Sequence, residues 1–533
     1  MKKHQQRRVL EILQTIEEAQ SAGMYDDCLK GAHAVGEFIN KVHGENTETV
    51  RSLEQYCDML CQMAGKGDMR AKLLKKQLNS IINNACTELN PDKIEVAFFP
   101  YKASMADSLE TIYIAAKADS QCDAYWIPIP YFDRKANGVL GEIYYEGMKY
   151  PDYLEITDWQ NYDVAERHPD IVFIHNPYDG YNYVTSVHPN YYSAALKKCT
   201  DLLVYVDYGI PYSLPKNPGL CITANKINIL PYQINCDLII AYSDECAECG
   251  RLAFTLSTQL KKTFNKHHVK EKVVPLGSAK FDKVLRARKE DYSLPNCWNR
   301  LIGNKKVLLF NTSLSELLHN GEKSLAQIVS VIKALSKRDD IVLWWRPHPL
   351  TESAINSMRP ELAEKYAAII KDYKRDKFGI FDCTEDVHRA IAYSDGCLTN
   401  YSSLMYLYLA TGKPFTLLAE NPELPPMALE HLTDFRKLLM RRIQNMKTAK
   451  GANIYNLNTC IWWNNFATYN SVARVEYDNW LDMFLNYIVN KESYPEAEEY
   501  EQLQLQMFRD SVVNSDGAAG EKIYQYCKER VSV

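Results

Sequence analysis

Gly396-Cys397-Leu398-Thr399-Asn400-Tyr401-Ser402-Ser403 is the stretch on which the reading of the chain turns. Gly396 to Thr399 is short and apolar, the pattern of a buried strand, and Leu404 to Ala410 directly after it has helical spacing. Val387, Ala390, Ile391 and Tyr393 predict a further short helix just before it. Helix, strand, polar turn and helix in immediate succession is the rhythm of a parallel sheet covered on both faces by helices.

The same rhythm extends in both directions. Phe415-Thr416-Leu417-Leu418 continues it, and Val307-Leu308-Leu309-Phe310, Ile341-Val342-Leu343-Trp344-Trp345 and Phe378-Gly379-Ile380-Phe381 precede it, the last weakened as a strand by its glycine. Ser278 to Asn304 is polar and reads as an inter-lobe connection. Before it lies another series: Ile94 to Pro100, Ala124 to Ile129, Ile171 to Ile174, Leu202 to Val206, Leu238 to Tyr242 and Val273 to Gly277. These runs predict an α/β protein with a pair of Rossmann-type parallel-sheet lobes, 91–285 and 300–460, whose ligand cleft lies at the carboxyl ends of the strands.

Residues 1–90 carry helical stripes such as Leu53, Tyr56, Cys57, Leu60 and Cys61, and are expected to form a helical accessory or oligomerisation domain. Residues 461–533 are expected to form helices packing across the lobes. A length of 533 residues suits this many parts, and 46% hydrophobic with 24% charged residues is ordinary for a soluble globular chain. A net charge of -5 gives no global attraction to nucleic acid. No apolar run spans a membrane and no signal sequence opens the chain, so a cytoplasmic protein is expected.

The basic amphipathic stretch Phe435 to Ile443 leaves peripheral contact with the inner face of the membrane open, beside the alternative of a solvated helix. The 15 cysteines are scattered and odd in number, which suits reduced thiols. Cys246-Ala247-Glu248-Cys249 lacks the second ligand pair that a zinc site needs, so neither a metal nor a tightly bound cofactor is expected.

Chemistry is expected where strands end. Ser402 and Ser403 open a helix, where free backbone N–H groups favour an anion such as a diphosphate; the alternative is an ordinary serine cap. Arg346 and His348, in Trp345-Arg346-Pro347-His348-Pro349, follow a strand, and their side chains suit phosphate binding or proton transfer; a buried salt bridge and a turn histidine are the alternative. Thr312 and Ser313 end the first strand of the second lobe and are further candidates for phosphate contact. In the first lobe Asp207 is a candidate general base, or else a turn aspartate. The polar, aromatic tract His175 to Tyr183 suits an acceptor-holding loop or a tyrosine-rich surface loop.

Four elements in order resemble the CDP-glycerol glycerophosphotransferase family, the teichoic-acid polymerases and primases of GT-B fold. Asp207-Tyr208-Gly209-Ile210-Pro211 is similar to its Trp-His-Gly-Thr-Pro turn, and Arg346-Pro347-His348-Pro349 to its Arg-x-His segment. Ser394-Asp395 through Thr399-Asn400-Tyr401-Ser402-Ser403 to Lys413-Pro414 resembles its Ser-Asp…Thr-Asp-Tyr-Ser-Ser…Lys-Pro stretch, and Asp516 to Ile523 its Asp-Gly-x-Ala-x-Glu-x-Ile ending.

The resemblance implies a CDP-linked donor as substrate, attack of an acceptor hydroxyl on phosphorus, and departure of CMP. It also implies diphosphate binding by Ser402, Ser403 and His348, and a cell-surface polymer or lipid-linked acceptor. Tyr208 stands where the family has its histidine base, and Asn400 where it has aspartate. An unperturbed tyrosine, with a pKa of about 10, is a poor base near neutral pH. Two other readings therefore stay open: a non-catalytic nucleotide-diphosphate-binding assembly protein, and a GT-B enzyme using a nucleotide-sugar.

Overall fold

A computed structural model of the chain describes residues 1–45, 47–62, 69–90, 93–135, 137–210, 230–256, 264–400, 402–418, 477–494 and 497–532. The chain divides into two compact units. One is Met1–Val96 with Ala116–Ala124 and Val164–Asp170; the other is Ala97–Ala115 with Tyr125–Asp163 and Ile171–Val533.

The first unit is built on four helices: α1 (Lys3–Ser21), α2 (Tyr25–Val42), α3 (Glu48–Cys61) and α4 (Met69–Glu88). Their apolar stripes meet in one core, with Val9, Leu13, Val35, Ile39, Leu53, Leu60, Leu74, Leu78 and Ile81 buried. Each such side chain contributes about 1.5–3 kcal/mol by leaving water. The amino end of α3 is closed from a distance. Glu88 accepts the N–H groups of Glu48 and Thr49 at 2.7 and 2.8 Å and the Thr49 hydroxyl at 2.8 Å.

The strands run in chain order: β1 (Ile94–Phe99), β2 (Cys122–Trp126), β3 (Tyr131–Arg134), β4 (Leu140–Tyr144), β5 (Ile171–Ile174), β6 (Thr185–Val187) and β7 (Leu202–Val206). Then come β8 (Leu238–Ala241), β9 (Val273–Pro275), β10 (Lys306–Thr312), β11 (Ile341–Pro347), β12 (Gly379–Phe381), β13 (Gly396–Thr399) and β14 (Phe415–Leu417). Every apolar run named above is a strand. The first large sheet has the order β2-β1-β5-β7-β8-β9 and the second β12-β11-β10-β13-β14. All four pairings of the second sheet are parallel, as are those joining β5, β7, β8 and β9. The molecule is thus α/β, with a GT-B-like pair of Rossmann-type sheets.

The strand orders locate the crevices. Strand order reverses between β10 and β13 in the second sheet and between β1 and β5 in the first. Open parallel sheets bind ligands beyond the carboxyl ends of their strands at such points. The glycine that weakens β12 as a strand has a packing reason, since a Cβ on Gly379 would overlap the hydroxyl of Tyr373. That hydroxyl donates to the carbonyl of Leu343 on β11 at 2.7 Å.

Two parts of the second unit depart from the sequence reading. A small antiparallel sheet, β4-β3-β6, was not expected; its strands are short and mixed in polarity. The polar stretch Ser278 to Asn304 is structured rather than a loose connection. It holds the helix α5 (Ala279–Arg286), in which Lys280, Phe281 and Asp282 are all buried.

Helices α6 (Val387–Tyr393) and α7 (Ser403–Leu409) flank β13. Helix α8 (Tyr477–Val489) buries Phe484, Leu485 and Ile488 in the core of the second sheet, and Gln504 of α9 (Ala497–Ser511) donates to the Lys413 carbonyl at 2.9 Å. The amino end of α10 (Ala519–Ser532) docks on α5: the Asp282 carboxylate accepts the N–H groups of Ala519 and Gly520 at 3.0 and 2.7 Å. Among the described residues no helix is long and apolar enough to cross a membrane. The segment Phe435 to Ile443 lies outside the described residues.

Candidate functional site

The reversal point of the second sheet gathers most of the residues expected to bind phosphate. Ser313 follows β10, caps the next helix through its hydroxyl at 3.3 Å from the Glu316 nitrogen, and donates its own N–H to Asn400 Oδ1 at 2.9 Å. Asn400, almost fully buried, also donates to the Leu418 carbonyl at 2.8 Å, so its amide ties the ends of β10, β13 and β14 together. Thr312 accepts a long bond, 3.4 Å, from the indole of Trp345.

Ser402 stands at the cap position of α7, yet its hydroxyl makes no capping bond. It lies 3.4 Å from both Asn311 Oδ1 and Thr399 Oγ1, contacts weak enough to be exchanged for a ligand. Ser403 is the first residue of α7 and is only half-buried. Tyr401 lies outside the described residues.

Arg346 adopts the salt-bridge alternative. Its guanidinium is 2.8 Å from Asp382 and donates to the carbonyls of Thr384 and Glu385 at 2.5 and 3.2 Å. Burial pushes the Asp382 carboxyl up, but Arg346, Thr384 and Trp344 outweigh it and hold the carboxyl below its usual range. Arg346 therefore fixes the loop after β12 instead of offering a free fork.

His348 is half-buried at the wall of a cavity. Its Nδ1 accepts the Leu350 N–H at 3.1 Å, which leaves the proton of the neutral ring on Nε2. Burial first, then the charges of Arg346 and Lys102, lower its pKa to about 4, so near neutral pH the ring is an uncharged donor.

His348 lines a cavity of about 890 Å³ whose walls come from both sheets. Lys102, Ser104, Glu146 and Lys149 arrive from the first-sheet side, and Thr351, Tyr366, Phe381 and Glu385 from the second. Lys149 bridges the walls, 3.6 Å from Glu146 and 3.2 Å from Glu385. None of these charged residues was singled out in the sequence. The cavity lining includes His348 but neither Ser402 nor Ser403. Among the described residues no group of three or more His, Cys, Asp or Glu is placed to hold a metal ion. Cys246 and Cys249 sit on one helix, and burial pushes the Cys246 thiol up to about 12.

The first-lobe candidates hold their own turns. Asp207 accepts the Gly209 N–H at 2.8 Å, the turn geometry of the alternative reading, and burial raises its carboxyl above the usual range. Burial drives Tyr208 far above the ordinary tyrosine value, which removes it further from acting as a base. His175 is fully buried: its Nε2 accepts the Tyr101 N–H at 3.2 Å and its Nδ1 bonds Ser108 at 2.9 Å, a structural role. Further along that tract Tyr181 and Tyr183 are 76% and 82% exposed.

A buried charge cluster also escaped the sequence reading. Asp107 sits between Lys280 at 2.5 Å and His388 Nε2 at 2.9 Å. Beside it Lys283 joins Glu110 at 2.8 Å and Asp386 at 3.6 Å. Lys413 has a structural task too, closing the carboxyl end of α6 through the carbonyls of Ile391, Ala392 and Ser394 at 2.8, 3.0 and 2.8 Å.

Two Rossmann-type sheets, with a cavity of mixed charged and apolar lining beyond their carboxyl ends, define the fold class of the molecule. No family model and no curated protein sequence matches the chain. Among solved structures it is similar to the wall teichoic acid polymerase TagF, soaked with CDPG, with 16% identity, a TM-score of 0.44, and 91% of this chain and 98% of that one covered. It is also similar to a putative UDP-N-acetylglucosamine 2-epimerase from Listeria monocytogenes (14% identity, TM-score 0.43, 83% and 97% covered). A third is S. aureus MnaA in a structure with UDP (13%, 0.44, 82% and 97%). At such values the fold rests on the sheets described above, and no residue role passes from these proteins to this chain.

Proposed function

We propose that this chain is a GT-B-type transferase that takes a nucleotide-diphosphate donor and moves glycerol phosphate, or a related group, to a cell-surface polymer or lipid-linked acceptor. CDP-glycerol is the donor that the sequence resemblance implies. The observation that carries the reading is the cavity between the two sheets, with the neutral His348 imidazole presenting an N–H donor to it.

In this reading His348 donates Nε2–H to a phosphate oxygen, where charge grows as the nucleotide leaves. Ser402, Ser403, Thr312 and Ser313 supply hydroxyls at the neighbouring reversal point, with Asn400 tying their segments together and Arg346 fixing the loop after β12. Asp207 is the acceptor-side base. A carboxyl raised by burial is better matched to taking a proton near neutral pH than an ordinary aspartate.

Purified protein incubated with CDP-glycerol and candidate acceptors should release CMP, and His348→Gln should slow that release roughly 100-fold. Absence of CMP, together with no thermal stabilisation by any CDP or UDP compound, would reject the reading. A non-catalytic nucleotide-binding assembly protein is the second reading, favoured by the engagement of Asp207 in its own turn. It expects donor binding that weakens in Ser402→Ala/Ser403→Ala, without turnover in the parent chain.

A further inference from the structure

The first sheet has a reversal point of its own, between β1 and β5, and Lys102 leaves β1 into it. The Lys102 side chain is only 10% exposed. An ammonium carries three hydrogen-bond donors and no acceptor. Among the described residues none of the three is filled. Its ion-pair partner, Glu146 Oε1, stands 3.9 Å away, beyond hydrogen-bond reach. Glu146 is already occupied, taking the Tyr131 hydroxyl at 2.8 Å and the Ala103 N–H at 2.9 Å.

The ammonium instead rests 4.0 Å from the centre of the Tyr131 ring. Ring and carboxylate tolerate the charge, but they leave its N–H groups without acceptors, and burial lowers the pKa of Lys102. A methionine of similar length would fill the same space without that cost, so packing alone does not account for a lysine here.

The second half of the pattern lies on the facing wall. His348 lines the same cavity, and its Nε2 has no partner among the described residues. Each sheet therefore offers one donor lacking a protein acceptor. Beyond this pair the lining carries three lysines against four glutamates, so no general positive field selects an anion. Selection rests on the pair.

We infer that Lys102 and His348 form one oxyanion subsite across the two sheets, and that it takes a phosphate group. A tetrahedral group, whose oxygens diverge, suits donors on opposite walls better than a planar carboxylate does. That this phosphate belongs to a nucleotide diphosphate rests on the function proposed above; the subsite itself does not.

The test uses the full chain and pyrophosphate as probe. Calorimetry should show binding to the parent protein and roughly ten- to hundredfold weaker binding to Lys102→Met, the loss expected for a charge-assisted hydrogen bond. The Tm of the unliganded variant should stay level or rise, whereas a purely structural lysine predicts a lower Tm with affinity retained. A second measurement needs no variant. With histidines 13C-labelled, pyrophosphate should move one imidazole resonance and raise its titration midpoint from about 4.

Absence of pyrophosphate binding by the parent, equal affinity in Lys102→Met, or unmoved histidine resonances would each overturn the inference. Pyrophosphate binding that depends on Lys102, with no binding of CDP or UDP compounds, keeps the subsite and rejects the donor reading. Nucleotide binding indifferent to Lys102→Met does the reverse.

Discussion

Lys280 and Lys102 are both buried lysines, 5% and 8% exposed, and their surroundings differ in kind. Lys280 ends on Asp107, whose other oxygen takes His388, so its charge is answered at close range. Lys102 faces a cavity and meets its carboxylate only at 3.9 Å. Around Lys280 the charges hold the fold together; around Lys102 they wait on something the fold does not supply. Burial of a charge says little about function until its hydrogen bonds are counted.

The Lys280 cluster depends most on Asp107. Asp107→Ala strands the Lys280 ammonium and removes the His388 partner, and should cost about 3–5 kcal/mol in denaturant unfolding, the penalty for half of a buried pair. A loss under about 1 kcal/mol would mean that the cluster is not what holds these elements. Next is Asn400→Ala, which frees the Ser313 N–H and the Leu418 carbonyl. It should cost about 1–3 kcal/mol, and a change in ligand binding alone, with stability intact, would return Asn400 to the role of a direct contact.

On the cavity side, the change per pH unit is the smallest of the three. The folded chain holds His348 near 4, below the ordinary value of about 6.5, so on acidification the unfolded chain takes up the proton first. Stability conferred by the neutral ring is present above about 6.5 and falls as pH drops toward about 4, by at most about 1.4 kcal/mol per pH unit. His348→Gln should flatten that part of a stability–pH curve. His175, held near 3 by burial, keeps its own contribution and serves as the internal control, and an unchanged slope in His348→Gln would show that His348 is not buried neutral.

The large sheets were legible because fully buried parallel strands are unbroken apolar runs, as in Val307 to Phe310 and Leu202 to Val206. The antiparallel sheet was not, since Tyr131 to Arg134 and Leu140 to Tyr144 are short, mixed in polarity and only partly covered. Ser278 to Asn304 misled for a related reason. Lys280, Asp282 and Lys283 make it look solvated, yet their partners Asp107, Thr111 and Glu110 lie in a distant part of the sequence.

At the site, His348 was visible because prolines flank it after a strand. Lys102 was not, because a single lysine after a strand is ordinary until the cavity and Glu146 are seen. Arg346 shows the converse limit. The same residue suits a phosphate or an aspartate, and only the position of Asp382 decides between them.

The docking of α10 on α5 also bears on how the protein is made. Asp282 sits at the end of the first sheet, and 237 residues separate it from Ala519, whose N–H it binds. During synthesis the whole second sheet therefore leaves the ribosome before this carboxylate meets its amide donors. Until then Asp282 has only the Thr111 hydroxyl, at 2.9 Å, among these partners. Such long-range closure slows folding and leaves the first lobe unfinished while the second is being assembled. Gly520 eases the late arrival, because any Cβ there would overlap the Thr111 hydroxyl already in place. The earlier lobe is thus sealed by the later portion of the chain.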